Sequence, residues 1–266
     1  MNPSPTKREQ HSDSSLSKPD ALAVYREQIE HWARALSTGE IDHLREAVEE
    51  GVTSDQVIQF VDGNVGKRYD LLLRLLEFVE PVFENFGELV EQFVIEHPYQ
   101  ALDSTTRDAD RCLEWIAETE SLNPEQTDYI ACQQARHAVE EMGAARRLEH
   151  VRFCEIRTVT SKSLGDLESN GSLMLHIDPI HVWTQFHTAA LLDGDISLPA
   201  DVVFFATGSE IRTAVVNQTA KLLLEELSEF GDLSLDEWAL RTSHSDRAGL
   251  VAACKELAEL ELIAIC

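Results

Sequence analysis

The chain has 266 residues, 43% of them apolar, enough for one large or two modest globular cores. Its 48 acidic residues outnumber 22 basic ones, for a formal charge of −26. That charge disfavours nucleic acid and anionic membrane surfaces as partners and favours basic or neutral ones.

Residues 1–20, rich in Ser, Pro, Lys and Asp, read as a disordered tail. From Ala21 the apolar spacing is helical for most of residues 21–155. Val24, Ile29, Trp32 and Leu36 mark a first helix closed at Gly39, and Ile41–Glu50 a second, stopped at Gly51. Thr53-Ser54-Asp55 offers caps for a helix beginning near Gln56. Within it, Gly63 and Gly66 predict either a close backbone approach or a break. Tyr69–Val79 is strongly apolar and predicts the centre of a bundle, interrupted by Pro81. Leu89, Val90, Phe93 and Val94 form another apolar face, ended by His97-Pro98. Ser104–Asp108 and Asn123-Pro124-Glu125 are helix starts, the second helix extending to about Glu149. Beyond Arg152, the residues Phe153, Ile156 and Val159 predict extended structure or a linker into a second domain spanning 156–266.

After a Gly/Ser/Asn/Asp patch between Gly165 and Gly171, three apolar runs read as strands: Leu173–Ile177, Val202–Phe205 and Ile211–Val216. Three helical patterns follow, Thr219–Phe230, Leu235–Thr242 and Asp246–Leu262. The expected fold is mainly α with a C-terminal α+β part, a helical bundle followed by a winged-helix-like domain. Residues 171–266 hold five Lys and Arg against fifteen Asp and Glu. A winged helix reads DNA by placing a late helix in the major groove, and its affinity comes from cations on phosphates. The last helix carries Arg247 and Lys255 against Asp246, Glu256, Glu259 and Glu261. A DNA-binding transcription regulator is therefore the second reading. The first is a domain that takes a peptide on an exposed strand edge.

Catalytic motifs are missing. The chain has no HExxH, GxSxG, P-loop, GxGxxG or EF-hand loop. His176, His181 and His187, beside Asp178, are the densest histidine group among ten. The six-residue step from His181 to His187 does not put two ligands on one helix face, so no metal site is expected. Cys112, Cys132, Cys154, Cys254 and Cys266 include no CxxC pair and read as small, mostly buried thiols of a cytoplasmic protein. The pattern points to a binding or accessory protein, not an enzyme.

Two stretches carry a family resemblance. Lys67-Arg68-Tyr69, the break at Pro81, Phe86-Gly87-Glu88-Leu89, His97-Pro98, Asp108-Ala109 and Leu113-Glu114-Trp115-Ile116 resemble the HvfC-like helical domain. Val202–Phe205, then Val215-Val216-Asn217-Gln218-Thr219-Ala220, Leu222–Leu224 and Leu250, Leu257, Leu260, Leu262-Ile263 are similar to PqqD and the related recognition elements for ribosomally made peptides. In that family an asparagine-led turn joins the third strand to the first helix, and Asn217 fits. The combination resembles partner subunits of multinuclear non-haem iron oxidases, most nearly those of 3-thiaglutamate biosynthesis.

The resemblance implies a non-catalytic subunit of a heterodimer. It presents the cysteine of a precursor peptide to the oxidase, and the iron belongs to that oxidase. It further implies leader-peptide binding at Ile211, Arg212, Thr213, Ala214, Val215 and Val216, with Leu250, Cys254 and Leu257 of the last helix. The same stretch of the helical domain places oxidase docking at Lys67, Arg68 and His97. Without ligand spacing, the chain purified alone should hold no stoichiometric iron or zinc. Elemental analysis after chelator washing should find far less than one metal per chain, and close to one per chain would contradict this reading.

Overall fold

The computed structural model describes residue 23 and residues 54–99, 104–158, 160, 164–207, 210–242 and 246–266. The expected tail and the two helices read between residues 21 and 50 lie outside the described residues, except that Ala23 is helical. The described chain is mainly helical, with small antiparallel sheets in its C-terminal part. It divides into two compact units, residues 1–72 with 90–108 and residues 73–89 with 109–266.

Helix α1, Ser54–Leu75, continues through Gly63 and Gly66. A Cβ at either glycine meets nothing within 4 Å, so they mark neither a break nor a close approach. A helix interior tolerates each at about 1 kcal/mol. Helix α2, Phe86–Glu96, stops before His97-Pro98 as the proline requires. Helix α3, Thr105–Thr119, is preceded by Ser104, whose hydroxyl oxygen accepts the Arg107 N–H at 3.0 Å.

A buried ion pair organises the first unit. Arg68 donates from Nε and Nη2 to both carboxylate oxygens of Asp108, each at 2.8 Å. Its Nη1 donates to the carbonyls of His97 at 2.6 Å and Val94 at 3.3 Å. The guanidinium lies 5.1 Å from the Phe93 ring centre and 5.8 Å from that of Tyr99. Carbonyls at a helix C-terminus lack intrahelical donors, and here one arginine supplies them while neutralising Asp108.

In the second unit, Pro81 sits in a single 3-10 turn, Glu80–Val82. Helix α4, Pro124–Ala145, opens with a complete capping box. Asn123 Oδ1 accepts the Gln126 N–H at 2.9 Å, and Gln126 Oε1 accepts the Asn123 N–H at 3.0 Å. The helix ends at Ala145, short of Glu149, and α5, Arg147–Arg157, follows directly. In place of the extended segment expected after Arg152, the chain is helical through Arg157, and Val159 lies outside the described residues. Phe153 and Ile156 are three apart, which is one helical turn and not the two-residue step of a strand.

The mixed part runs β1 (Met174–Ile177), β2 (His181–Phe186), β3 (Ala200–Thr207), β4 (Glu210–Val215), α6 (Gln218–Phe230), β5 (Leu233–Ser234), α7 (Leu235–Thr242), α8 (Arg247–Glu259) and β6 (Ile263–Ile265). These strands make two three-stranded antiparallel sheets, in the orders β5-β1-β6 and β2-β3-β4. The run around Leu173–Ile177 is therefore a strand, but not of the sheet that holds the next two. Strand β2 takes that place, in the stretch expected to be turns and exposed histidines.

Strand β3 is buried on both faces. Val202 and Phe204 join Cys132, Ala135 and Val139 of α4 in one core. Val203 and Phe205 join Leu223, Leu224 and Leu227 of α6 and Leu250 and Leu257 of α8 in another. Such two-sided burial explains the continuous apolar run, which carries no alternation.

Asp128 fastens α4 to the end of β2. Its carboxylate is fully buried. It accepts the His187 N–H at 2.9 and 3.0 Å, the Thr188 N–H at 2.7 Å and the Thr188 hydroxyl at 2.6 Å. Asp128→Ala strands two main-chain donors, each costing about 1–3 kcal/mol when left unpaired. Denaturant unfolding should show a loss of roughly 2–6 kcal/mol, and amide exchange should show lost protection at Thr188. A loss below about 0.5 kcal/mol would mean that water replaces the carboxylate at no cost.

Candidate functional site

The sheet β2-β3-β4 leaves β4 at an edge, and no other described strand pairs with it. Its register on β3 runs from Val202↔Val215 to Thr207↔Glu210. The Val216 N–H donates to the Asp201 carbonyl at 3.1 Å, which places Asp201 and Val216 at a hydrogen-bonded position of the ladder. Bonded and non-bonded pairs alternate in an antiparallel ladder. Arg212 and Ala214 therefore direct their main-chain groups at β3. Ile211, Thr213 and Val215 direct theirs away from it, as a row of donors and acceptors spaced about 6.8 Å apart.

The side chains along this edge differ by face. Ile211 and Val215 are half-buried against the core that includes α4, with Thr213 exposed between them. Ala214 is half-buried and Val216 buried in the core beneath α6 and α8, and Arg212 is exposed. Asn217 then caps α6, its Oδ1 accepting the Ala220 N–H at 2.9 Å, and its amide donates to Glu256 Oε2 of α8 at 2.9 Å.

Three expected contact residues do not reach this edge as open surface. Leu250, Cys254 and Leu257 are all fully buried in the core of the second unit. Burial also pushes the Cys254 thiol up to about 12. They hold α8 in place and line no groove, because the apolar face of a short helix is consumed in packing.

The expected docking residues also separate. Lys67 is exposed, whereas Arg68 is 9% exposed and engaged with Asp108. His97 is half-buried, with its ring stacked on Phe93 at 5.2 Å. Arg68 is a structural residue, not a docking one.

The histidine group does not converge. His176 Nδ1 donates to Asp232 Oδ1 at 2.9 Å. His181 Nδ1 donates to the Asp178 carbonyl at 2.6 Å, while its Nε2 faces the Ser228 hydroxyl at 3.1 Å. His187 is tied by its main chain to Asp128. Among the described residues, no three His, Cys, Asp or Glu side chains are grouped to hold a metal ion. Asp178 instead accepts the Ile180 N–H and the His150 Nδ1–H, both at 2.9 Å. Burial holds its carboxyl above the usual range despite these two bonds. No described helix is long and apolar enough to cross a membrane.

Comparison with protein-family models, with curated proteins and with solved structures returns no match.

His181 generates a pH dependence. Burial lowers its pKa below the ordinary 6.5, partly offset by its bond to the Asp178 carbonyl. The unfolded chain therefore takes up a proton that the folded chain refuses, so stability falls as pH drops below about 6.5. In His181→Gln that acid-side loss should shrink, measured as the unfolding midpoint of both proteins from pH 7.5 to 5. Parallel pH curves for the two would contradict the assignment.

Proposed function

We propose that the chain is a non-catalytic partner subunit that binds the leader of a ribosomally made precursor peptide along β4. In this reading it presents the peptide's cysteine to a multinuclear non-haem iron oxidase, of the kind used in 3-thiaglutamate biosynthesis. The observation that carries the reading is the edge position of β4, unpaired on its outer side by any described strand, with the main-chain groups of Ile211, Thr213 and Val215 directed outward. An extended peptide added there gains a ladder of main-chain hydrogen bonds, and its alternate side chains meet the two faces.

The order of elements supports the PqqD-like reading. A three-stranded antiparallel meander leads through an asparagine cap into three helices, α6, α7 and α8. Helix α6, β5, α7, α8 and β6 then follow in winged-helix order, with β1 taking the middle of the small sheet. The transcription-regulator reading has less support. Arg247 is paired with Asp236 and Lys255 with Glu168, each at 2.7 Å, so both cations of α8 are already engaged. Phosphate contacts need free cations on that helix.

Oxidase docking calls for surface that the chain does not use internally. Lys67, Arg147, Arg152 and Arg212 make no hydrogen bond, ion pair or ring contact through their charged groups among the described residues. On α5, Arg147 and Arg152 flank Leu148 and Val151, which are 77% and 46% exposed. An apolar centre with a charged rim has the anatomy of a protein interface. The docking surface in this reading is α5, with Arg147 and Arg152 as its exposed cations. Arg212 remains at the peptide edge, where it favours an acidic leader side chain.

The test separates edge binding from folding. Thr213→Pro removes an outward donor and no ladder bond, and the Thr213 side chain is exposed. It should weaken affinity for the leader of the chain's own precursor peptide at least tenfold, with the circular dichroism unchanged, because one main-chain hydrogen bond is worth about 1.4 kcal/mol here. Val215→Pro should act alike, whereas Ala214→Pro removes an inward donor and should destabilise the sheet itself. Arg147→Glu/Arg152→Glu should lose co-purification with the oxidase and keep leader binding. Folded Thr213→Pro with unchanged affinity would place the peptide elsewhere.

A further inference from the structure

Across the small sheet, three chemically complementary side chains meet. Strand β1 lies between β5 and β6, and its register sets His176 opposite Ala264 on one side. On the other side the Met174↔Ser234 and Leu175↔Leu233 pairs lead on to Asp232 beside His176. Beyond β6, Cys266 is bonded to Met174 in both directions, at 2.9 and 3.1 Å. Cys266 is thus the diagonal neighbour of His176 on the same face, within side-chain reach. The distances match: His176 Nδ1 is 2.9 Å from Asp232 Oδ1, and His176 Nε2 is 3.2 Å from Cys266 Sγ.

The arrangement has the polarity that a thiol nucleophile needs. The Asp232 carboxylate accepts the Nδ1 proton and fixes the tautomer. The lone pair of Nε2 is then left facing the thiol, ready to take its proton. Cys266 is exposed, so a reactant can approach its sulfur. The molecule contains a contrasting second set. Cys154 Sγ lies 3.5 Å from His150 Nε2, and His150 Nδ1 lies 2.9 Å from Asp178. There the thiol is half-buried and burial pushes it up, which disfavours the thiolate. Cys112, Cys132 and Cys254 are buried. Of the five cysteines, only Cys266 combines an oriented imidazole with open access to sulfur.

We propose that Cys266, with His176 as its base and Asp232 holding the imidazole, is a nucleophilic thiol site that exchanges with aliphatic disulfides. In the step, the Cys266 proton passes to His176 Nε2 and the sulfur attacks one sulfur of R–S–S–R. The Cys266–S–S–R bond forms as the S–S bond of the reactant breaks. The departing thiolate takes the proton back from the imidazolium and leaves as R–SH. One disulfide is consumed and one is formed, with no outside oxidant. This site is separate from the β4 edge and does not depend on the peptide-binding reading.

The test uses the full, reduced chain and 2-hydroxyethyl disulfide as the neutral probe, with acid quenching at pH 7 and mass mapping of each cysteine. The mixed disulfide should form first at Cys266, at least about tenfold faster than at Cys154. In His176→Gln the Cys266 rate should fall about tenfold or more, a positioned base contributing on the order of a hundredfold or more. Asp232→Asn, altered at a side chain more than half exposed, should give a smaller fall with the fold intact. Cys266→Ser should abolish the fast phase. A Cys266 rate equal to that of an unstructured cysteine peptide, or one unchanged in folded His176→Gln and Asp232→Asn, would overturn the proposal.

Discussion

The second unit is built around one constraint: β3 is apolar on both faces and must be covered twice. Val202 and Phe204 are met by α4, and Val203 and Phe205 by α6 and α8. Burying such a strand from both sides contributes about 1.5–3 kcal/mol for each large side chain, before the entropy of ordering it. With both faces of β3 covered, the strands at the sheet's edges carry its exposed backbone and side chains. Strand β4 lies at one of them, and its outward main-chain row is the consequence. The peptide-binding proposal rests on this edge strand.

An acidic chain must also place its carboxylates without burying bare charge. Asp108, Asp128 and Asp178 are the buried examples among the described residues, and each has specific donors. Asp108 takes the Arg68 guanidinium, Asp128 takes main-chain N–H groups and a hydroxyl, and Asp178 takes an N–H and an imidazole. Buried charge survives only with such compensation. The same rule explains why Arg68 sits inside although Lys67 beside it is exposed. A guanidinium can fork onto a carboxylate and still reach helix-end carbonyls, which an ammonium cannot do in one geometry.

Local signals in the sequence were reliable where one residue type does a local job. His97-Pro98 ends α2 and Asn123-Pro124 starts α4, each as read, and Asn217, expected from the family resemblance at a strand-to-helix turn, caps α6. Strands β3 and β4 were legible from their apolar runs. Strand β2 was not, because His181, Trp183 and Gln185 alternate with Val182, Thr184 and Phe186 over too few apolar residues to stand out from a turn. Its period-two pattern was the available signal. The two-residue β5 and the terminal β6 exist only through pairing with β1, which no local pattern encodes. At the candidate site, residues 211–216 were placed on an edge strand, but which of them face outward depends on register. Leu250, Cys254 and Leu257 share a helical face, and whether that face is core or groove is decided by what packs on it. The pairing of Arg68 with Asp108 joins residues 40 apart and likewise leaves no local trace.

The central claim is that peptide is added to β4 through the outward main-chain row. Residue-resolved amide exchange with and without the leader of the chain's own precursor peptide tests it most directly. Saturating peptide should slow exchange at Ile211, Thr213 and Val215 by tenfold or more, while Arg212 and Ala214, already bonded to β3, change little. Peptide-induced protection that leaves these three amides untouched, or appears along another element, would contradict the account.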